Sequence, residues 1–166
     1  MSGKVLTYSP KDVTLIIAGF TVAGMISVSI SWNKPQFMSV KGAYGKTTRV
    51  KSWDTSAVLK VELLQTAIAN GIFSDLVNLD AETNGGRLEM TLQDLSGNSL
   101  IFSDDVYLTS LADIRYSDDF DNRVWTFNMD STGERYVESN EKSVGDLLST
   151  VGDKVSAGLD SLSSLF

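Results

Sequence analysis

Residues 26–32 carry the clearest hydrophobic pattern in the chain. Ile26, Val28, Ile30 and Trp32 alternate with Ser27, Ser29 and Ser31. Strict period two predicts a β-strand with one apolar face and one face of small hydroxyls. Small hydroxyls hydrate easily and offer nothing adhesive, so Ser27, Ser29 and Ser31 suit either a wet lining or the outer face of a sheet. Residues 13–17 (VTLII) read as a strand rich in branched side chains, and Gly19 and Gly24 flank a turn. Residues 57–64 alternate again, with Ala57, Leu59, Val61 and Leu63 against Val58, Lys60, Glu62 and Leu64. The period then changes. Ile68, Ile72, Phe73, Leu76, Val77 and Leu79 recur at three and four, the spacing of an amphipathic helix over 66–79. Its start falls near Asn70, whose side chain is a candidate cap, and its end at Asn84-Gly85-Gly86. Strands at 88–92 and 100–102 flank turn chemistry at Asp94-Leu95-Ser96-Gly97-Asn98. Segments 106–108, 114–116 and 124–129 complete the β set. Seven or eight short strands with one helix predict a mainly β fold, a sandwich or barrel with one packed α-helix.

Two segments depart from this pattern. Residues 33–54 (NKPQFMSVKGAYGKTTRVKSWD) hold Pro35, Gly42 and Gly45 and lack helical spacing, so they read as a long loop. Loops of this length in compact domains are usually functional or disordered, and Phe37, Tyr44 and Trp53 argue against disorder. The loop carries Lys34, Lys41, Lys46, Arg49 and Lys51 against Asp54 alone. Packing against another subunit suits it better than base stacking, which an acidic protein disfavours. Beyond residue 130 the chain is polar to residue 142. Val144, Leu147, Leu148, Val151, Val155, Leu159, Leu162 and Phe166 then form a stripe at helical spacing, with Asp146, Asp153 and Asp160 on another face. This predicts a β domain over 1–130 and a C-terminal extension over 131–166 with an amphipathic helix. Gly152 and Gly158 each cost such a helix about 1 kcal/mol relative to Ala, so it needs a partner surface, on its own domain or a neighbour. Its acidic polar face argues against a membrane surface.

Composition narrows the chemistry. The 166 residues contain no Cys and no His, which excludes disulfides, thiolate nucleophiles, Ser-His-Asp triads, His/Cys zinc sites and imidazole bases. The formal net charge is -7, unsuited to gripping phosphate. That charge is uneven: residues 1–70 carry eight basic and three acidic groups, the rest six and eighteen. A basic patch on one copy meeting an acidic patch on the next would make a head-to-tail contact. The densest carboxylates are Asp104-Asp105 and Asp118, Asp119 and Asp121. A calcium loop of EF-hand type needs a Gly at position six and a Glu at position twelve, and neither is there, so a solvated acidic turn is the better reading. Gly85-Gly86 follows a helix, the wrong context for a phosphate loop. No enzymatic activity, cofactor or metal is expected. No apolar run reaches the roughly 18–20 residues that span a bilayer, and the start lacks a secretory h-region, so synthesis in a cytoplasm without a membrane partner is the expectation.

Several short motifs, in order, resemble one family. They are Lys4-Val5-Leu6-Thr7-Tyr8-Ser9-Pro10-Lys11-Asp12-Val13, Leu63-Leu64-Gln65-Thr66, Asp94-Leu95-Ser96-Gly97 with Leu100-Ile101-Phe102-Ser103, and Arg123-Val124-Trp125-Thr126. Together they span about residues 4–130 and resemble the tail tube proteins of contractile-tailed bacteriophages. The segment beyond 131 exceeds that pattern. The resemblance implies a virion structural protein, made in the host cytoplasm, that forms stacked homohexameric rings inside a contractile sheath. Each subunit would give strands to an inner barrel that conducts DNA, without binding it specifically, and houses the tape measure protein. Sheath, baseplate and tail terminator would be further partners. Residues 33–54 match the family's inter-ring loop, so Lys34, Phe37, Lys41, Tyr44, Lys46, Arg49, Lys51 and Trp53 are the expected inter-ring contacts. Ser27, Ser29 and Ser31 are the expected lumen lining, in a bore of net acidic character. Asp118, Asp119 and Asp121 are the expected acidic partner patch. Two other readings stay open: a monomeric β-sandwich binding glycan or calcium at 118–122, and a tail terminator or sheath-associated protein.

Overall fold

The computed structural model describes residues 9–137, 152, 153 and 155–159. The motif residues 4–8 and most of the C-terminal apolar stripe lie outside the described residues. Between residues 9 and 137, after a 3-10 turn at Pro10–Asp12, ten strands and one α-helix follow in the order β1 (Val13–Ile17), β2 (Phe20–Thr21), β3 (Met25–Trp32), β4 (Phe37–Lys41), β5 (Thr47–Lys51), β6 (Ala57–Leu63), α1 (Ala69–Thr83), β7 (Leu88–Asp94), β8 (Ser99–Leu108), β9 (Arg123–Met129) and β10 (Arg135–Tyr136). The main sheet is antiparallel throughout and runs β2-β1-β7-β8-β9-β6-β3, with β10 added on β8. Among the described residues it does not close: β2 and β3 are its ends. Among the described residues, strands β4 and β5 pair only with each other.

The core lies on one face of this sheet, under α1. Leu15, Ile17, Leu59, Val61, Leu63, Met90, Val106 and Phe127 are fully buried there. Phe73 of α1 is the plug. Its ring meets Phe20 at 6.0 Å, Trp125 at 5.5 Å and Phe127 at 5.1 Å. Phe20 and Phe127 sit on β2 and β9, four strand spacings apart, roughly 19 Å in a flat sheet. Both can touch one ring only because the sheet curls around the helix, in the sandwich-like manner the strand pattern predicts.

Several local expectations are corrected. Helix α1 starts at Ala69 with no side-chain cap. Asn70 lies within its first turn, donating to the Leu64 carbonyl at 2.8 Å and accepting from the Trp125 indole N–H at 2.9 Å. It ties helix to sheet rather than capping. Segments 100–102 and 106–108 are one strand, β8, bent by an irregular register around residues 103–106. Residues 114–116 form no strand, because β9 already pairs with β6 on one side and β8 on the other. In β3 the register slips between Met25 and Ser27. The extra residue, Ile26, turns outward at 47% exposure, and Met25 packs on the core in its place. Gly24, just before, has φ +74, and a Cβ there would lie 2.7 Å from the Ala67 Cβ, so only glycine fits. In the C-terminal extension the described residues 155–159 are helical, with Val155 and Leu159 exposed.

Candidate functional site

Three surfaces stand out. The first is residues 33–54. They form a β-hairpin, not the long irregular loop that the missing periodicity suggests. It prolongs the β3–β6 ladder away from the sheet: Trp32 pairs with Ala57, the Asn33 amide donates to the Ser56 carbonyl, the Ser52 amide to the Gln36 carbonyl, and Phe37 pairs with Lys51. At its base Lys34 and Asp54 form an ion pair of 3.3 Å, and Asp54 accepts from the Ser56 amide at 2.9 Å. Hydrogen bonds from Ser56, then from Lys34, hold the Asp54 carboxyl below its ordinary 3.8. The tip turns through Gly45 at φ +81, closed by the Gly42 amide on the Lys46 carbonyl at 2.8 Å.

Pairing sorts the arm into two faces. Phe37, Ser39 and Lys41 stand opposite Lys51, Arg49 and Thr47, while Met38 and Val40 stand opposite Val50 and Thr48. Directly opposed residues share a face, so one face is basic and aromatic and the other apolar. On the basic side Arg49 sits 4.3 Å from the Phe37 ring, and Lys51 lies 4.9 Å from the Trp53 ring. No residue of β4 or β5 is buried, Tyr44 at the tip is fully exposed, and Trp53 is 85% exposed. The apolar face escapes sequence reading because Met38 and Val50 become neighbours only through pairing.

The second surface is the outer face of β3 and its partners. Ser27, Ser29 and Ser31 are exposed and stand beside Glu62, Lys60 and Val58 of β6, which in turn stand beside Val124, Thr126 and Asn128 of β9. The Ser27 hydroxyl donates to Glu62 at 3.1 Å, and Asn122 donates to the other Glu62 oxygen at 2.8 Å. The charges across these three strands are Lys60 and Glu62, which balance. The face is hydroxylated and neutral, without the acidic excess that net charge suggests. As the last strand of the sheet, β3 pairs with β6 alone among the described residues.

The third surface is the 109–122 connection between β8 and β9. Asp118 and Asp119 are exposed, and the Ser117 hydroxyl donates to Asp121 at 2.7 Å. Among the described residues no group of three acidic side chains converges as a cation site would. The same loop exposes Ile114, Tyr116 and Phe120 at 67–87%, which the sequence pattern had placed in part on a strand. Arg123, 8% exposed, donates to the Arg115 carbonyl at 3.2 Å and lies 5.3 Å from the Tyr116 ring.

Placement relates the first and third surfaces. The arm leaves the sheet where Ala57 pairs with Trp32 and Met129; the acidic loop enters where Arg123 pairs with Leu63. Basic arm and acidic loop therefore occupy opposite ends of the seven-residue β6, roughly 20 Å apart.

No protein-family model matches the chain. The structural protein ORF10 of Pseudomonas phage KPP10 is 28% identical over 171 aligned positions, covering 95% of this chain and 98% of that protein. Among solved structures, the tube-terminating cap of the anti-feeding prophage superposes with a TM-score of 0.59 at 8% identity, over 81% of this chain and 95% of the other. A chain from the extended sheath–tube complex of the PVC extracellular contractile injection system gives 0.57 at 13%, over 79% and 93%. A chain of the virion of a native gene transfer agent particle gives 0.56 at 14%, over 77% and 100%. The chain thus has a fold found in contractile injection systems and in a gene transfer agent virion, and in sequence it is similar to a phage structural protein.

Proposed function

We propose that this chain is the tail tube subunit of a contractile-tailed phage, a virion structural protein without catalytic function. Six copies join edge to edge into a ring, and rings stack into a hollow tube inside the sheath. The observation that carries this reading is the separation of the basic arm from the acidic loop at opposite ends of one sheet. A surface and its complement at opposite ends cannot satisfy each other within one molecule or in a two-fold dimer stacked along that axis. They drive head-to-tail repetition. The outer edge of β3, unpaired among the described residues, supports the lateral step, because joining sheets into a closed barrel removes exposed edges. The neutral hydroxylated face of β3, β6 and β9 suits a bore through which DNA and a tape measure protein pass without sticking. The tube's ends then meet the baseplate and terminator, and its outside the sheath.

A second reading has its own support, since a tube-terminating cap shares the fold: a single closing ring at the tube's end. Electron microscopy of the purified protein separates them. Long tubes are expected for a tube subunit, isolated rings for a terminator, and monomers at high concentration would overturn both. Replacing Lys41, Lys46, Arg49 and Lys51 by Glu should abolish tubes while leaving the domain folded; normal tubes from that variant would exclude the arm from stacking.

A further inference from the structure

Between α1 and the 109–122 loop lies a groove of about 290 Å³, with Ser74 and Asn78 on its helix side and Leu111, Ala112, Ile114 and Trp125 on the other. Its size falls just below the roughly 300–1,000 Å³ of small-ligand sites, suited to one large side chain. Arg123 also lines it, but its guanidinium is engaged by the Arg115 carbonyl and the Tyr116 ring. The 109–122 loop that supplies one wall also carries the carboxylates Asp113, Asp118, Asp119 and Asp121, the first three exposed. We infer that this groove receives the arm tip of a second copy, with Tyr44 as the inserted side chain.

Three observations converge on that occupant. Tyr44 is the fully exposed aromatic at the end of the arm, and aromatic anchors in pockets dominate interface energetics. Its ring matches the apolar wall, and its hydroxyl finds an amide in Asn78. Lys41 and Lys46 flank the tip and Arg49 and Lys51 follow along the arm, and their charge is opposite to that of the loop that supplies the groove's wall. Finally, arm and groove lie at opposite ends of the sheet. Twelve residues separate Trp32 from Tyr44, a reach of up to roughly 40 Å at about 3.3 Å each, so the tip crosses readily to a neighbour. The apolar strip of Met38, Val40 and Val50 is then covered by the exposed Ile114 and Phe120 of the same loop. The inference rests on the head-to-tail reading above and names its receiving site.

The chain has no cysteine, so paired thiols report one contact without background. Tyr44→Cys with Asn78→Cys, treated with a short bismaleimide in the full-length assembled protein, should give a ladder of covalent oligomers on denaturing gels. Tyr44→Cys with Leu95→Cys, at the arm's own end of the sheet, should stay monomeric. Tyr44→Ala should raise the concentration needed for assembly about tenfold with an unchanged thermal melt. Tubes that form without the Tyr44–Asn78 ladder would overturn the groove assignment and leave the tube reading standing. Failure of the wild-type chain to assemble would overturn the tube reading and this inference with it.

Discussion

Trp125 is 2% exposed, and burying an indole N–H needs a partner. Asn70 supplies it from across the core, while its own amide holds the Leu64 carbonyl at the approach to α1. Asn70→Ala leaves that N–H unpaired inside the protein and should cost about 1–3 kcal/mol, read as a lowered denaturation midpoint with the fold retained. A polar residue in this position reads as a helix cap in the sequence, because capping is local and the indole lies 55 residues away. Asp54 works on the surface. Its carboxylate is favoured in the fold by hydrogen bonds from Ser56 and then by Lys34, so its acid constant lies below 3.8. A depressed carboxyl contributes its stabilisation fully above the unfolded value and loses it as pH falls through the folded one. The arm base should therefore be insensitive to pH near neutrality and loosen only below about pH 3.8. An NMR titration of the Asp54 carboxyl checks this. Lys34→Ala should move its midpoint only part of the way back to 3.8, since the larger cause is Ser56.

The elements differ in how far they can be read ahead. β6, β7 and β9 follow their alternation closely, because each has one face on the core and a period of two leaves little choice of register, and β1 was legible from its branched side chains. β8 was legible only as two fragments, since its irregular register interrupts the alternation at Asp104-Asp105. The arm was legible as a basic segment but not as a hairpin: Phe37 and Met38 are both apolar and adjacent, and on a ribbon with no buried side neither face imposes a pattern. That same lack of burial makes the arm separable. Excising residues 37–51 and bridging the gap with a short Gly-Ser linker should leave the thermal midpoint within about a degree or two, because surface changes away from special features stay within roughly 0.5 kcal/mol. The shortened protein should form no tubes in negative stain. A collapse of the melt would mean that the arm packs on its own domain.

At the scale of the whole molecule, polarity decides what assembles. The sequence shows the imbalance, a basic first part and an acidic remainder, but not that the fold sends its two exposed concentrations to opposite ends of a sheet; that follows from the pairing of β6 with β3 and β9. The contact should weaken with ionic strength, since exposed charges are screened within about 8 Å at physiological salt. A sharper consequence concerns mixtures. An arm-reversed variant (Lys41, Lys46, Arg49 and Lys51 to Glu) presents an acidic arm and an acidic loop. A loop-reversed variant (Asp118, Asp119 and Asp121 to Lys) presents two basic surfaces. Alone, each repels itself along the axis and should not stack. Mixed in equal amounts, the acidic arm of one meets the basic loop of the other, and the unmodified arm and loop meet in the next step. Open-ended tubes should return only in the mixture, alternating between variants, as labelled copies would show by electron microscopy. Dimers alone in the mixture would mean that arm and loop meet reciprocally about a two-fold axis, a geometry that ends after one contact and cannot build a conduit.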